Sequence, residues 1–430
     1  MSEHSEPRKR STDRRGIFEI IGPGILIAAT GVGAGDLATA TFSGSKLGTV
    51  VLWAVVVGGL LKFVLTEGLT RWQLATDKTI LEGVAEKFSP IVGWIFLPYL
   101  LVWSFYVGAA LMSANGVAFH AMFPLFSDAS DAKIVFGIIF SLVGLVLVLA
   151  GGFPLFEKIM GVCITLMVAS VVVTALLLWP GSGPVFSGLL IPSIPDAGGE
   201  GLTWTVALIG GVGGTLTILC YGYWIREKNR FGPDHLKICR IDLGVGWLVT
   251  IVFGVAMVIV GTSVQIEGRG ADLLVVLGDK LAVELGMFGK WVFLIGAFGA
   301  VFSSLLGVWQ AVPYLFADLW RLFFRKETRS ESERISENVV PIDQSVAYRR
   351  YLYGLATVPI LGLFVAFDDI QKLYTISGAA FLPLLALALL ILNGRRSWVG
   401  NLTNRPITVV ALCATLIFFG WLAWSAWFGA

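Results

Sequence analysis

Charge is what this chain lacks most. Only 14% of its 430 residues are Asp, Glu, Lys or Arg, while 56% are hydrophobic. A soluble globular domain carries roughly 25% charged residues, and a buried core does not explain so large a deficit. The mean hydropathy of +0.82 points the same way. Cysteine and histidine are scarce too. Cys163, Cys220, Cys239 and Cys413 show neither CxxC pairing nor metal-finger spacing, and read as small apolar residues in helices. None of His4, His120 and His235 falls in the middle of an apolar run, so no histidine-rich metal site is expected. The net charge of +2 is too small to suggest a nucleic-acid partner. No nucleophile–base pair or phosphate loop stands out, which argues against an enzyme. The run Gly31–Gly35 superficially suggests a dinucleotide loop, but it lies inside an apolar stretch with no βαβ context.

What is present is a series of apolar runs, most of them near the ~20 residues that cross hydrocarbon. A leader would supply one such run, and the polar stretch Met1–Arg15 gives no sign of a cleavable signal. We read eleven spans: 17–46, 49–75, 91–121, 133–151, 155–179, 203–225, 241–264, 287–320, 351–367, 370–392 and 406–428. Segment 271–285 is amphipathic and is expected at an interface, and 325–349, rich in Arg, Glu and Ser, reads as a solvated loop. Lys and Arg in the loops set the orientation. With the N-terminus in the cytoplasm, the inner loops hold Arg8–Arg15, Arg71, Lys78, Lys87, Lys158, Arg226–Arg240, Arg321–Arg350, Arg395, Arg396 and Arg405. The other side holds Lys46, Lys133, Arg269, Lys280, Lys290 and Lys372, and the loop 180–202 has no basic residue. The expected product is an all-α integral protein of a bacterial inner membrane, in contact with lipid.

Glycine is the worst ordinary helix former, and unwound backbone inside a bilayer is costly unless it lines a buried cavity. Two spans carry dense clusters. The first has Gly31, Gly33 and Gly35, followed by Asp36; the sixth has Gly210, Gly211, Gly213 and Gly214, followed by Thr215 and Thr217. One opens the chain and the other opens a second block of five spans. That is the pattern of an inverted repeat of five plus five with one extra span. The expected organisation is a tail at 1–16, a first repeat at 17–179, a loop at 180–202, a second repeat at 203–392, and an eleventh span with its preceding loop at 393–430. Interrupted helices in matching positions point to a transporter's site. A carboxylate inside a span costs ~2.5–3.5 kcal/mol on insertion scales and calls for a partner. A bound cation is one, with the partial negative charge of a half-helix C-terminus adding to the attraction. Asp36, freed carbonyls near Val32, Gly33 and Gly214, and the hydroxyls of Thr215 or Thr217 together make an all-oxygen cation site.

These features resemble the Nramp family of proton-coupled divalent metal transporters. The resemblance is carried by Gly22-Pro23-Gly24 through Gly44-Ser45-Lys46-Leu47-Gly48, by Leu52-Trp53, by Ala75-Thr76-Asp77-Lys78 and by Phe302-Ser303-Ser304-Leu305-Leu306-Gly307. It implies the leucine-transporter type of fold, with broken helices 1 and 6, and alternating access. The chain also departs from the family pattern. The family's Asp-Pro-Gly-Asn falls on Gly33-Ala34-Gly35-Asp36, so the first metal-binding Asp is absent and Asp36 takes the Asn position. No Met-Pro-His stands in the sixth span, where Thr217-Ile218-Leu219-Cys220-Tyr221 is found. Without a thioether the site suits a harder ion such as Mg²⁺ or Mn²⁺, and the chain is similar to magnesium-transporting relatives in that respect. Cys220 is a candidate soft ligand, although a packed apolar role suits it as well. No resident cofactor is expected, and the divalent cation is substrate. Two other readings stay open. An ion-coupled amino-acid carrier would bind a carboxylate on backbone N–H groups, and a non-transporting sensor would keep the fold alone.

Other polar residues lie inside spans. Lys62 and Glu67 share the second span at a spacing that does not favour a direct pair. A basic group at the depth of Lys62 can replace a bound coupling cation, H⁺ or Na⁺. Glu67, Ser303, Ser304 and Gln310 are candidates for the pathway or for coupling, with packing an equal alternative.

Overall fold

The computed structural model describes residues 21–196, 199–263, 273–325 and 341–428. The tail 1–16, the start of the first expected span and most of the loop 325–349 lie outside the described residues. All regular structure among the described residues is helical. That follows from composition: in hydrocarbon a segment must satisfy its own N–H and C=O groups, and a helix does so internally.

The first span is two helices, α1 (Gly22–Gly31) and α2 (Ala34–Leu47). Next come α3 (Leu52–Thr76), the short α4 (Ile80–Lys87) and α5 (Pro90–Met122). Local signals set these boundaries. Asp77 ends α3 in the left-handed region at φ 57°. Thr79 and Glu82 form a reciprocal capping box on α4. Ser89 caps α5, with Pro90 in the first turn. Helix α6 (Ala129–Leu177) bends at Gly152, φ 58°, where the sequence reading separated two spans. After α7 (Ser182–Leu190) the sixth span comprises α8 (Glu200–Gly211), a 3₁₀ turn at Leu216–Cys220 and α9 (Tyr221–Glu227). Then follow α10 (Leu236–Thr262) and α11 (Leu273–Trp320), the latter bent at Gly286, where the amphipathic segment was expected to give way to the eighth span. The chain continues with α12 (Val346–Thr357), α13 (Phe367–Ala379), α14 (Phe381–Leu392), α15 (Arg396–Val399) and α16 (Pro406–Phe428).

Seven stretches of the described chain are long and apolar enough to cross a membrane. An eighth is added if Arg396–Leu402 and Pro406–Trp421, bent by 117°, form one span. The difference from the eleven expected has a structural origin. The second half of the first span runs almost unbroken into the second, so Asp36–Thr76 counts once. The fourth and fifth are merged across Gly152. The ninth is a twelve-residue helix prolonged by a 3₁₀ segment, Val358–Phe364.

Two packed groups emerge. Helices α1, α2 and α3 pack on α10, and α8 lies against α2 and α3. Helices α5, α6 and α11 pack mutually, with α12 against α11. Helix α1 touches both groups, which puts its broken end at their junction.

Candidate substrate site at two facing helix breaks

The break in the first span is shorter than its six-residue glycine motif suggested. Only Val32 (φ −81°, ψ 81°) and Gly33 (φ −133°, ψ −142°) leave the helix, and α2 resumes at Ala34. Asp36 therefore lies in the first turn of α2. This corrects the expectation that it would face a half-helix C-terminus. It sits at the N-terminal end, where the helix dipole is positive and favours a carboxylate.

In the sixth span α8 ends at Gly211, and Gly213 and Gly214 follow at φ 78° and 72°. Two successive left-handed residues strongly favour glycine. Closeness selects glycine a second time. A Cβ on Gly31 would lie 2.5 Å from the carbonyl carbon and oxygen of Gly213, and one on Gly214 would lie 3.2 Å from Gly31 Cα. The two breaks touch backbone to backbone.

Unwinding frees backbone polar groups, and named side chains satisfy them. Asp36 Oδ1 accepts the Gly213 N–H at 2.8 Å. Lys62 Nζ donates to Gly210 O at 2.8 Å and also to Val212 O. Both charged residues are only 1% exposed. At the end of α1, Ser303 Oγ reaches Ala29 O at 3.0 Å, and Ser304 Oγ reaches Thr30 O at 2.8 Å. Helix α11 approaches closely enough that a Cβ on Gly33 would collide with the Ser304 side chain. The last carbonyls of α1 are thus capped by neutral hydroxyls, and those of α8 by an ammonium. Asp36 Oδ2 and Thr30 Oγ1 are buried without a hydrogen-bond partner among the described residues.

Around this centre, Thr215 Oγ1 accepts from Trp103 Nε1 at 3.2 Å, and the Trp103 and Tyr374 rings are 6.4 Å apart. Thr217 packs against Gly214. Asn115 on α5 donates to Leu111 O and Val301 O, and Gln371 on α13 donates to Ala110 O. Asn115 Oδ1 and Gln371 Oε1 are left buried and unpartnered among the described residues. Trp103, Asn115, Gln371 and Tyr374 were not singled out from the sequence. The signal available for Asn115 was an amide inside a mostly apolar run; Gln371, flanked by Asp368, Asp369 and Lys372, offered none.

Two expected site residues, Glu67 and Gln310, are held in networks elsewhere. Glu67 accepts from Arg71 Nε at 2.8 Å and from Arg240 Nη2 at 2.7 Å, in a network that continues to Leu402 O and Asn404. It ties α3 to α10 and to the segment before α16. Gln310 Oε1 accepts from Trp224 Nε1 and its carbonyl accepts from Tyr348 OH, so it locks α11 to α9 and α12. Cys220 is fully buried in the 3₁₀ turn, with Tyr348 among its neighbours. Among the described residues no three His, Cys, Asp or Glu side chains are grouped to hold a metal. The centre is one carboxylate and one ammonium among carbonyls, hydroxyls and amides.

An all-helical membrane protein with two interrupted helices facing each other at the junction of two helix groups has the leucine-transporter type of fold. MhsT in complex with L-phenylalanine matches it with a TM-score of 0.58 at 15% identity, covering 94% of this chain and 98% of that one. A mutant of the Eremococcus coleocola manganese transporter matches with a TM-score of 0.75 at 16% identity, covering 97% and 88%. The chain belongs to the Nramp family: the model for natural resistance-associated macrophage protein-like sequences matches residues 24–427. Among curated relatives, the divalent metal cation transporter MntH of Clostridium acetobutylicum is 20% identical over 421 residues, 94% of this chain and 89% of that protein. The MntH of Chromohalobacter salexigens is 22% identical over 324 residues, 70% and 72% respectively. The family is one of membrane-embedded metal-ion transporters, not of enzymes.

Proposed function

We propose that this protein carries a divalent metal cation across the membrane by alternating access, with Asp36 as the carboxylate of the binding site. The observation that carries the reading is the buried Asp36 Oδ2, which has no hydrogen-bond partner among the described residues, where the two helix breaks meet. A buried carboxylate oxygen without a donor is costly, and a cation resolves that cost. Family membership and the MntH relatives support a divalent ion as the cargo.

The donor set favours a harder ion. Carboxylate, carbonyl, hydroxyl and amide oxygens suit Mg²⁺ or Mn²⁺, and no thioether stands at the break to favour softer metals. Thr30, Asn115 and Gln371 each offer a buried oxygen without a donor. Mg²⁺ sheds water reluctantly and binds through few protein ligands with waters retained, which agrees with a single carboxylate. The two five-helix repeats, 17–179 and 203–392, would each contribute helices to both packed groups, and those groups would rock against each other, with the N-terminus and the Glu67–Arg71–Arg240 face in the cytoplasm of a bacterial cell.

The test is uptake of Mn²⁺ and Mg²⁺ into proteoliposomes, with isothermal titration of both ions and an amino-acid panel. Wild type should take up at least one of the ions saturably. Asp36→Asn keeps an acceptor for the Gly213 N–H and should lose uptake by at least about tenfold, equivalent to ~1.4 kcal/mol, while remaining folded. Normal uptake by folded Asp36→Asn would refute the site. Binding heats from amino acids alone would refute the substrate class.

A further inference from the structure

We propose that Lys62 is a tethered cation: its ammonium fills a carbonyl site at the broken end of α8 that would otherwise take a small monovalent ion, so the transporter needs no inorganic ion there. The last carbonyls of a helix have no partner within it, and together they carry about −0.5 of a charge. In α8 that end is buried, Gly210 and Gly211 included, so water does not solvate it. The left-handed turn at Gly213 and Gly214 leads the chain away and leaves Gly210 O and Val212 O both bonded to one point, Lys62 Nζ. Asp36 adds a full negative charge beside it, joined through the Gly213 N–H. Backbone carbonyls converging beside a carboxylate are the chemistry that coordinates hard monovalent cations.

The second span is built to deliver the ammonium. Gly58, one helical turn before Lys62, lets α3 lie against α8; a Cβ there would sit 2.7 Å from Ile209 O. Thr66 Oγ1 donates to Lys62 O one turn later. Lys62 lies between these two contacts along α3, and it is 1% exposed. The end of α1 provides the contrast. There the carbonyls of Ala29 and Thr30 receive the hydroxyls of Ser303 and Ser304, which carry no charge. Only the α8 end is neutralised by a fixed positive charge. If the centre carries a divalent ion as proposed above, Lys62 excludes that ion from the α8 end and confines it to Asp36 Oδ2 and the α1 side. The tethered-cation assignment rests on that reading only for this last consequence.

The experiment therefore leaves divalent ions out. The purified full-length protein is melted in detergent with Na⁺, K⁺, methylammonium or choline chloride at one ionic strength, as wild type, Lys62→Ala and Lys62→Gln. Wild type should melt at the same temperature in all four salts. Both variants should melt lower in choline and recover by several degrees with Na⁺, K⁺ or methylammonium, because a ligand that binds only the folded state stabilises it by mass action. Three results would each overturn the proposal: a wild type stabilised by Na⁺ or K⁺ over choline, variants indifferent to the salt, or variants that fold in none of the four. Failure of divalent uptake would leave these outcomes unchanged, so the two ideas fall separately.

Discussion

Gly31→Ala isolates the contact between the two helix breaks. Gly31 is the last residue of α1 and is buried. Its backbone is not in the left-handed region, so alanine is locally acceptable and would favour the helix by ~1 kcal/mol. Packing has the opposite sign. The new methyl would stand 2.5 Å from the carbonyl carbon and oxygen of Gly213 and 3.0 Å from its Cα, about 1 Å inside the ordinary separation of non-bonded carbons. Gly213 has little room to retreat. The Trp247 ring lies 2.4 Å from where its own Cβ would be, and Asp36 holds its N–H. Overpacking typically costs 1–3 kcal/mol, and backbone on both sides puts this case at the upper end. The net effect should be a loss of ~2 kcal/mol, seen as a melting temperature several degrees lower and as impaired transport. The control is Gly161→Ala in α6, where a Cβ meets nothing within 4 Å; it should be neutral or stabilising. If Gly31→Ala melts and transports like Gly161→Ala, the two breaks are not in contact and the site has been assembled incorrectly.

Two further tests separate site from scaffold. The double variant Ser303→Ala, Ser304→Ala leaves the α1 carbonyls at Ala29 and Thr30 without their donors, at ~1–3 kcal/mol for each group left unsatisfied; uptake assays should show a reduced maximal rate, and unchanged rates would remove these serines from the site. Glu67→Gln should lower stability by about 1–3 kcal/mol, less than a fully buried pair because Arg240 is partly solvated. Its KM for the transported ion should stay at the wild-type value, and a large KM change would return Glu67 to the pathway.

Much of the site was legible in the sequence, because helix-breaking glycines and charged residues within apolar runs are local facts. Gly31, Gly33, Gly213 and Gly214 marked both breaks, and Asp36 and Lys62 stood out by the cost of burying them. What stayed hidden depended on one or two residues of register or on distant partners. A break two residues long instead of six moved Asp36 from the expected negative end of one half-helix to the positive end of the next. Glu67 and Lys62 lie on one helix five residues apart, yet one meets Arg240 and the other the carbonyls of Gly210 and Val212. Nothing in the intervening sequence decides which helix each face of α3 will meet.

By itself the sequence determined the membrane setting, the all-helical class and the two places where helices fail. Those follow from hydrophobic content and from the backbone freedom of glycine, which act residue by residue. The tertiary structure decided how the freed backbone groups are satisfied: Asp36 on the Gly213 N–H, Lys62 on the end of α8, and Ser303 and Ser304 on the end of α1. These pairings join residues far apart in the chain. Buried polar groups must find partners wherever packing brings one within about 3 Å, and only the folded arrangement of helices sets those distances.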